Sequence, residues 1–369
     1  MITVVIPTVG RPTLRATLAA VGPGMPVIVV DDRTAGDALS VPDQVRVVRS
    51  GGRGPAAARN AGWRAAGTPW VVFLDDDVIP APGWAAAVWK DLVGLPDDVA
   101  GSQGRIVVPL PAGRPPTDAE RNTAGLAGAL WVTADMAYRR AVLESVGGFD
   151  ERFPRAYRED AELALRVSRA GHRLVKGERV TEHPVREDGF WASVRSQRGN
   201  ADDALMRRLH GPGWRAAIGG ARGRLRRHAL TTAAGLTAAA LALSAAAQPA
   251  RATRPTSARP LAQTSERLLA RAGGRAGRRL TGRAGGRLLR RAGCQTGGRL
   301  LRRVSGPTVV VAAGVAAAVW GVLTVEFGWR RVAPGPRTPR EVWRMAVTSV
   351  VIPPVACAHR LRGEWRVRR

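Results

Sequence analysis

Four apolar residues, Val71-Val72-Phe73-Leu74, run directly into three carboxylates, Asp75-Asp76-Asp77. An apolar run this short, rich in β-branched and aromatic residues, reads as a buried strand. Three adjacent carboxylates repel one another, and burying them unpaired is costly. The triplet therefore belongs at the exposed C-terminal end of the strand, beside a cation. That edge is where open α/β sheets bind ligands, and oxygen ligands on a short tether suit Mg2+ or Mn2+. A solvated acidic turn accounts for the triplet equally well at this point.

The preceding residues repeat the pattern. Ile2 to Ile6 is a short apolar run closed by Pro7-Thr8, and a helix carrying Leu14, Leu18 and Val21 on one face follows. Val27 to Val30 is a second run, closed by Asp31-Asp32. A glycine-rich loop, Gly51-Gly52-Arg53-Gly54, leads through Pro55 into a helix over residues 56–66 that carries Arg59 and Asn60; proline suits a first helical turn. This β-α-β-α-β alternation predicts an α/β domain with a mostly parallel sheet and helices on both faces. The acids then lie along one sheet edge, where they would bind a metal or a ribose, and the glycine-rich loop would suit a phosphate. No Gly-x-Gly-x-x-Gly opens the first strand-to-helix turn, which argues against a dinucleotide dehydrogenase, and no P-loop sequence is present.

Further along, the pattern predicts a strand over residues 105–110, a polar, proline-rich loop over 111–121 and a helix over 137–146 closed by Gly147-Gly148. Glu159 or Asp160 opens a helix to Ala170, with Glu162 and Arg166 as an i,i+4 pair. Acids at a helix N-terminus are favoured by its dipole, so capping alone would explain Glu159-Asp160. Strands near Leu174 and Val180 lead to His183-Pro184, and an amphipathic helix is expected from about Trp191 to Leu209. Asp202 and Asp203 read there as solvated helix charges. His172 and His210 read as ordinary packed residues.

Taken in order, Val4-Val5-Ile6-Pro7-Thr8, Val30-Asp31-Asp32, Gly54-Pro55-Ala56-Ala57-Ala58-Arg59-Asn60-Ala61-Gly62, Leu74-Asp75-Asp76-Asp77, Gly147-Gly148-Phe149-Asp150-Glu151 and Glu159-Asp160-Ala161-Glu162-Leu163 resemble the family 2 glycosyltransferases over about residues 1–210. The resemblance implies the GT-A fold, a Rossmann-like mixed and mostly parallel sheet, and an inverting, metal-dependent transfer of a sugar from a UDP- or GDP-sugar. Position by position it implies that Pro7, Thr8, Asp31 and Asp32 line the nucleoside pocket and that Arg59 faces the nucleotide. Asp75 and Asp77 would be the ends of the family's Asp-x-Asp motif, holding Mn2+ or Mg2+ and the donor diphosphate. Asp75 and Asp76 would lie against the donor, Asp76 being the most tolerant of substitution. Asp160 would be the catalytic base and His183 a further metal ligand. Such chemistry is consistent with the residue types: a hydroxyl nucleophile needs a carboxylate to take its proton, and a nucleoside diphosphate leaves when its growing charge is neutralised. The Gln-x-x-Arg-Trp motif of processive members is absent, since Gln197 and Arg198 have no tryptophan at that spacing; addition of a single sugar is expected.

The two parts of the chain differ in charge. Residues 1–210 hold 27 basic against 25 acidic residues, and residues 211–369 hold 30 against 4. The expected organisation is a catalytic domain over 1–210, a linker and alanine-rich helix over 211–249, an Arg/Gly-rich segment over 250–305, and an apolar helix, a candidate membrane span, with a basic tail over 306–369. Gly-Gly-Arg recurs at residues 273, 285 and 297, and an arginine-rich stretch of this kind suits an anionic membrane surface. Residues 308–325 are long enough to span a bilayer; residues 229–247 are marginal, and 346–358 are short and broken by Pro353-Pro354. Two cysteines, Cys294 and Cys357, exclude a disulfide framework, and with no basic and apolar stretch before the strand at Ile2 no secretory leader is expected. The expected location is the cytoplasmic face of the cell membrane, peripheral or with one to two weak membrane helices, with a lipid-linked or cell-envelope glycan as acceptor. The rival reading, a nucleic-acid or anionic-polymer binder with a decayed transferase domain, has less support: the acidic sites are intact and the tail lacks the aromatic interleaving of single-strand binders.

Overall fold

A computed structural model of the chain describes residues 1–186, 189–247 and 306–368. The arginine-rich repeat over 250–305 lies outside the described residues. The chain divides into two compact units, Met1–Leu236 with Ala317–Arg369, and Thr237–Ala316. The second contains, among its described residues, only stretches of two apolar helices.

The first unit is built on an eight-stranded mixed sheet. Its strands are β1 (Ile2–Thr8), β2 (Val27–Asp31), β3 (Arg46–Arg49), β4 (Trp70–Leu74), β5 (Ile79–Pro80), β6 (Val99–Val107), β7 (Asp135–Arg139) and β8 (Arg173–Glu182), in the spatial order β3-β2-β1-β4-β7-β6-β8-β5. The first four positions in that order are parallel, β7 runs antiparallel between β4 and β6, and β8 returns parallel to β6. This is the mixed, mostly parallel arrangement that the sequence implies. Alternation along the strands explains why their sequences look continuously apolar. Val4, Ile6, Val27, Val29, Val72 and Leu74 enter one core layer, while Val5, Ile28, Val30, Val71 and Phe73 enter the layer on the opposite face. Both faces are buried, so neither can be polar. Helix Pro55–Ala65 lies on the second layer, where a Cβ at Gly62 would come within 2.3 Å of Val5; only glycine allows that approach.

Residues 99–145 differ from the sequence reading. The expected strand at 105–110 is the end of a longer one, β6, which starts at Val99. Residues 135–139, read mostly as helix, form β7, and the helix there is Arg140–Ser145. Met136, Ala137 and Tyr138 are fully buried between two strands, and sheet pairing overrides the helix preference of Met and Ala. The proline-rich loop contains a helix, Asp118–Ala124, with a capping box at its start: the Thr117 hydroxyl accepts from the Glu120 amide, and the Glu120 carboxylate accepts from the Thr117 amide at 2.7 Å. The Thr-x-x-Glu spacing is a sequence signal for this helix. Hydrogen bonds from Arg114 hold the Glu120 carboxyl at about 2, below its ordinary 4.5. Its stabilising contribution is therefore complete above pH 4.5 and is lost as pH falls toward 2. Thr117→Ala is expected to lower stability by about 1 kcal/mol, read from thermal unfolding of the purified protein.

The single helix expected from Trp191 is broken into Ala192–Arg195, a 3-10 turn and Gly199–His210. Beyond it, helices Leu225–Ala246, Gly306–Val332 and Pro339–Arg368 are all long and apolar enough to cross a membrane by length and composition. The sequence leads to an expectation of one to two weak membrane helices; by length and composition three among the described residues qualify. The last continues through Pro353-Pro354, and further along it Gly363 packs closely against Ala201 of the Gly199–His210 helix.

Candidate active site

The C-terminal ends of β1, β2 and β4 bring Thr8, Asp31-Asp32 and Asp75-Asp76-Asp77 to one edge, with Pro7 half-buried beside them. Each acid there has its own partners. Asp31 accepts two hydrogen bonds from the Arg33 guanidinium, which hold its carboxyl below the usual range. Asp32 accepts from the Ser50 hydroxyl at 2.7 Å and from the Gly54 amide at 2.9 Å. Gly54 does this at a φ of 96°, a left-handed conformation that favours glycine. Asp76 is 3% exposed and accepts from Thr8 Oγ1 at 2.6 Å and from Arg11 Nη1 at 2.7 Å. Burial pushes its carboxyl up, opposed by the Thr8 bond. These contacts overturn the idea that Asp76 is the tolerant member of the triplet: losing it would leave the buried Thr8 hydroxyl without its acceptor.

Asp75, Asp77 and His183 present ligand atoms that all lie within 4.8 Å of one another. The donor set is two carboxylates and an imidazole. Asp77 Oδ1 is buried without a hydrogen-bond partner, the condition of an oxygen that a cation would satisfy. His183 faces the Pro184 carbonyl through Nδ1 at 3.1 Å. A carbonyl only accepts, so the proton sits on Nδ1 and the Nε2 lone pair is available to a metal. The residues fit a divalent cation with mixed oxygen and nitrogen ligation. The other oxygen of Asp77 is paired with Arg186, and Arg11 lies 3.8 Å away. Neither cation is evident from the sequence, because each comes from a loop whose approach to the triplet depends on the fold.

Arg59 spans the site from below. It is 2% exposed, and its guanidinium donates to Asp75 at 2.8 Å and to Glu159 at 2.7 Å. Asp160 follows Glu159 at the start of helix Glu159–Arg169 and accepts from the Ala161 amide at 2.6 Å. Burial raises both carboxyls above their ordinary values, that of Glu159 to about 7, against the pull of Arg59. A raised carboxyl is a better proton acceptor at neutral pH. Glu159 is a member of this site that the sequence suggests only as a cap. The turn before it is fixed by Asp203, which accepts from Arg158 at 3.0 Å, and by Asp202, which accepts from Arg155 at 2.5 Å. Both aspartates are 5% exposed, so they are buried ion-pair partners and not the solvated charges expected. Asn60 joins the motifs across the domain: its side chain bonds the Phe149 backbone, at 2.9 Å to the carbonyl and 2.8 Å from the amide, and accepts from Trp63 Nε1.

The family model for glycosyl transferase family 2 matches residues 3–143. The N-terminal domain belongs to this family. The matched stretch contains Arg59 and the Asp75–Asp77 triplet, whereas Asp160 and His183 lie beyond it. The chain is also similar to a pre-mycofactocin glycosyltransferase of Mycobacterium tuberculosis, 31% identical over 194 residues, which are 47% of this chain and 40% of the relative. The match thus spans well under half of that relative. Among solved structures, a mannosyltransferase from Pyrobaculum calidifontis in complex with GDP-Man and Mn2+ is 16% identical with a TM-score of 0.48, covering 98% of this chain and 86% of that one. Glucosyl-3-phosphoglycerate synthase from Mycobacterium tuberculosis is 20% identical with a TM-score of 0.39, covering 57% and 80%. For this family 2 domain the site's parts now have a common frame: acids at the strand ends, a cation-ready trio, and a buried arginine bridging to a second pair of carboxylates.

Proposed function

We propose that the protein is an inverting, metal-dependent glycosyltransferase that moves one sugar from a nucleotide-sugar to an acceptor hydroxyl at a membrane surface. The observation that carries this reading is the Asp75–Asp77–His183 trio linked through Arg59 to the Glu159–Asp160 pair. Asp75, Asp77 and His183 would hold the cation, which when bound neutralises the diphosphate as it leaves. Thr8, Asp31 and Asp32 would orient the nucleoside. Asp160 takes the proton of the acceptor hydroxyl as its oxygen bonds to the anomeric carbon, and the bond from that carbon to the diphosphate oxygen breaks with its electron pair. One displacement inverts the carbon and needs no covalent enzyme intermediate. Arg59 keeps Asp75 and Glu159 compensated, so that the second carboxylate can accept the proton. The exposed apolar residues Val319, Val322, Val325 and Trp329 on helix Gly306–Val332 support a membrane location.

The test is nucleotide binding with and without metal. UDP and GDP, titrated by calorimetry in Mn2+ and again in EDTA, should show metal-dependent binding of at least one of them. Asp77→Asn should weaken that binding at least about tenfold, since loss even of a partner behind a metal ligand costs that much. Metal-independent binding, or an unaffected Asp77 variant, would remove the basis of the reading.

A further inference from the structure

The domain-side ends of the C-terminal helices enclose a cationic cavity outside the site described above. It has a volume of about 380 Å³, and its walls carry Arg121, Arg224, Arg331 and Arg344 with Ser193 and Gln197. Two carboxylates answer the four guanidiniums: Asp118 accepts from Arg331 at 2.8 Å, and Glu341 lies 3.9 Å from Arg344. Arg331 and Arg121 are otherwise spent on structure. Arg331 donates to Thr348, Ser349 and Ser193, and Arg121 donates to the Pro116 and Arg331 carbonyls. Arg344 and Arg224 keep donors in hand. Arg344 Nε is buried with no hydrogen-bond partner. Arg224 has no carboxylate partner among the described residues and lies over the Phe327 ring at 5.5 Å. Half-buried guanidiniums with unused donors around one space, four against two carboxylates, call for an anion with several acceptor oxygens, and phosphate matches their geometry.

The position of the cavity says what carries that phosphate. Arg224 immediately precedes helix Leu225–Ala246, and Arg331 lies in the last turn of helix Gly306–Val332. Arg227 and Glu326 clasp these two helix ends at 2.7 Å. Arginines therefore collect where apolar helices stop, and along the same helix Val319, Val322 and Val325 lie exposed. This is the charge and hydropathy profile of a headgroup site at a bilayer surface. The cavity is also linked through the fold to the turn that precedes Asp160. Its Ser196–Gln197 wall runs into helix Gly199–His210, whose first residue sits against the Tyr157 ring in the turn leading to Asp160.

We propose that this cavity binds the phosphate of an amphiphilic acceptor whose tail lies along the apolar helices, an inference that rests on the glycosyltransferase reading for the word acceptor. The test uses the full chain in a non-ionic detergent, with dodecyl phosphate as probe and inorganic phosphate as comparison, titrated by calorimetry. Dodecyl phosphate should bind, and Arg344→Gln should weaken it about ten- to a hundredfold, the effect of losing a hydrogen bond to a charged group. Arg224→Gln should act in the same direction. Arg360→Gln, which removes the same charge from a part-buried pair with Glu364 outside the cavity, should leave affinity unchanged and so separates the cavity from general attraction to a basic protein. Equal binding by wild type and Arg344→Gln would overturn the site. Inorganic phosphate binding as tightly as dodecyl phosphate would overturn the amphiphile. Mn2+-dependent nucleotide binding, measured on the same samples, reports separately on the catalytic reading and should be unchanged in Arg344→Gln.

Discussion

Asp160→Asn is expected to lower sugar transfer by about 10²- to 10⁴-fold, the usual contribution of a positioned general base, while metal-dependent nucleotide binding stays close to wild type. Asparagine keeps the size of the side chain and an oxygen that accepts from the Ala161 amide. What it loses is the ability to take a proton. Wild-type transfer should also fall as pH is lowered through the Asp160 carboxyl, because the base must be ionised and burial raises it above the ordinary aspartate value. The same shift has a thermodynamic sign. A group that binds its proton more tightly in the folded state makes folding less favourable as pH rises from the unfolded to the folded value. Removing the charge at neutral pH should therefore raise the thermal midpoint of metal-free protein even as turnover disappears. A variant with wild-type turnover would show that Asp160 is not the base.

The largest effect on stability is expected at a position with no part in the chemistry. Arg179 is fully buried and donates to Asp135 at 2.7 Å, Asp91 at 3.0 Å and the Ser102 carbonyl at 2.6 Å. Asp135, equally buried, also accepts from Trp84 Nε1 and Thr181 Oγ1. Arg179→Met leaves this carboxylate in the interior without its counter-charge, which costs about 3–5 kcal/mol. For a domain of this size the thermal midpoint should drop by roughly 10 °C. Adding Asp135→Asn to Arg179→Met should recover part of the loss, because the charge and its counter-charge then go together. Additive losses in the double variant would mean that the pair is not coupled.

The two predictions differ in how far the sequence alone supports them. Asp160 stands in a local pattern, and so do Asp31-Asp32, Asp75–Asp77 and the Gly54–Gly62 stretch. In each case the chemistry is carried by neighbours in the chain, at the end of a strand or the start of a helix. The Asp135–Arg179 pair is not local. It arises because β7 and β8 flank β6, and a helix expected from Ala137 onward leaves no strand there to carry Asp135. The glycines of β6 hid that strand for the same reason. A Cβ at Gly101 would meet the Ala137 carbonyl at 2.6 Å, and one at Gly104 would meet the Asp135 carboxylate at 2.4 Å. Residues that look like loop are glycine because a neighbouring strand and a buried acid occupy the space. Arg11 and Arg186 are likewise non-local, long side chains reaching the triplet from loops.

The order of the strands also bears on how the chain reaches this structure. β6 is flanked by β7 and β8, and β8 comes from residues 173–182. During synthesis the N-terminal strands can assemble as they leave the ribosome, but one edge of β6 waits for a segment made much later. Pairings so distant in sequence are slow, and an open strand edge is a template for self-association in the interval. A fragment ending at residue 143, where the family match stops, would keep that edge permanently open and should aggregate when expressed alone.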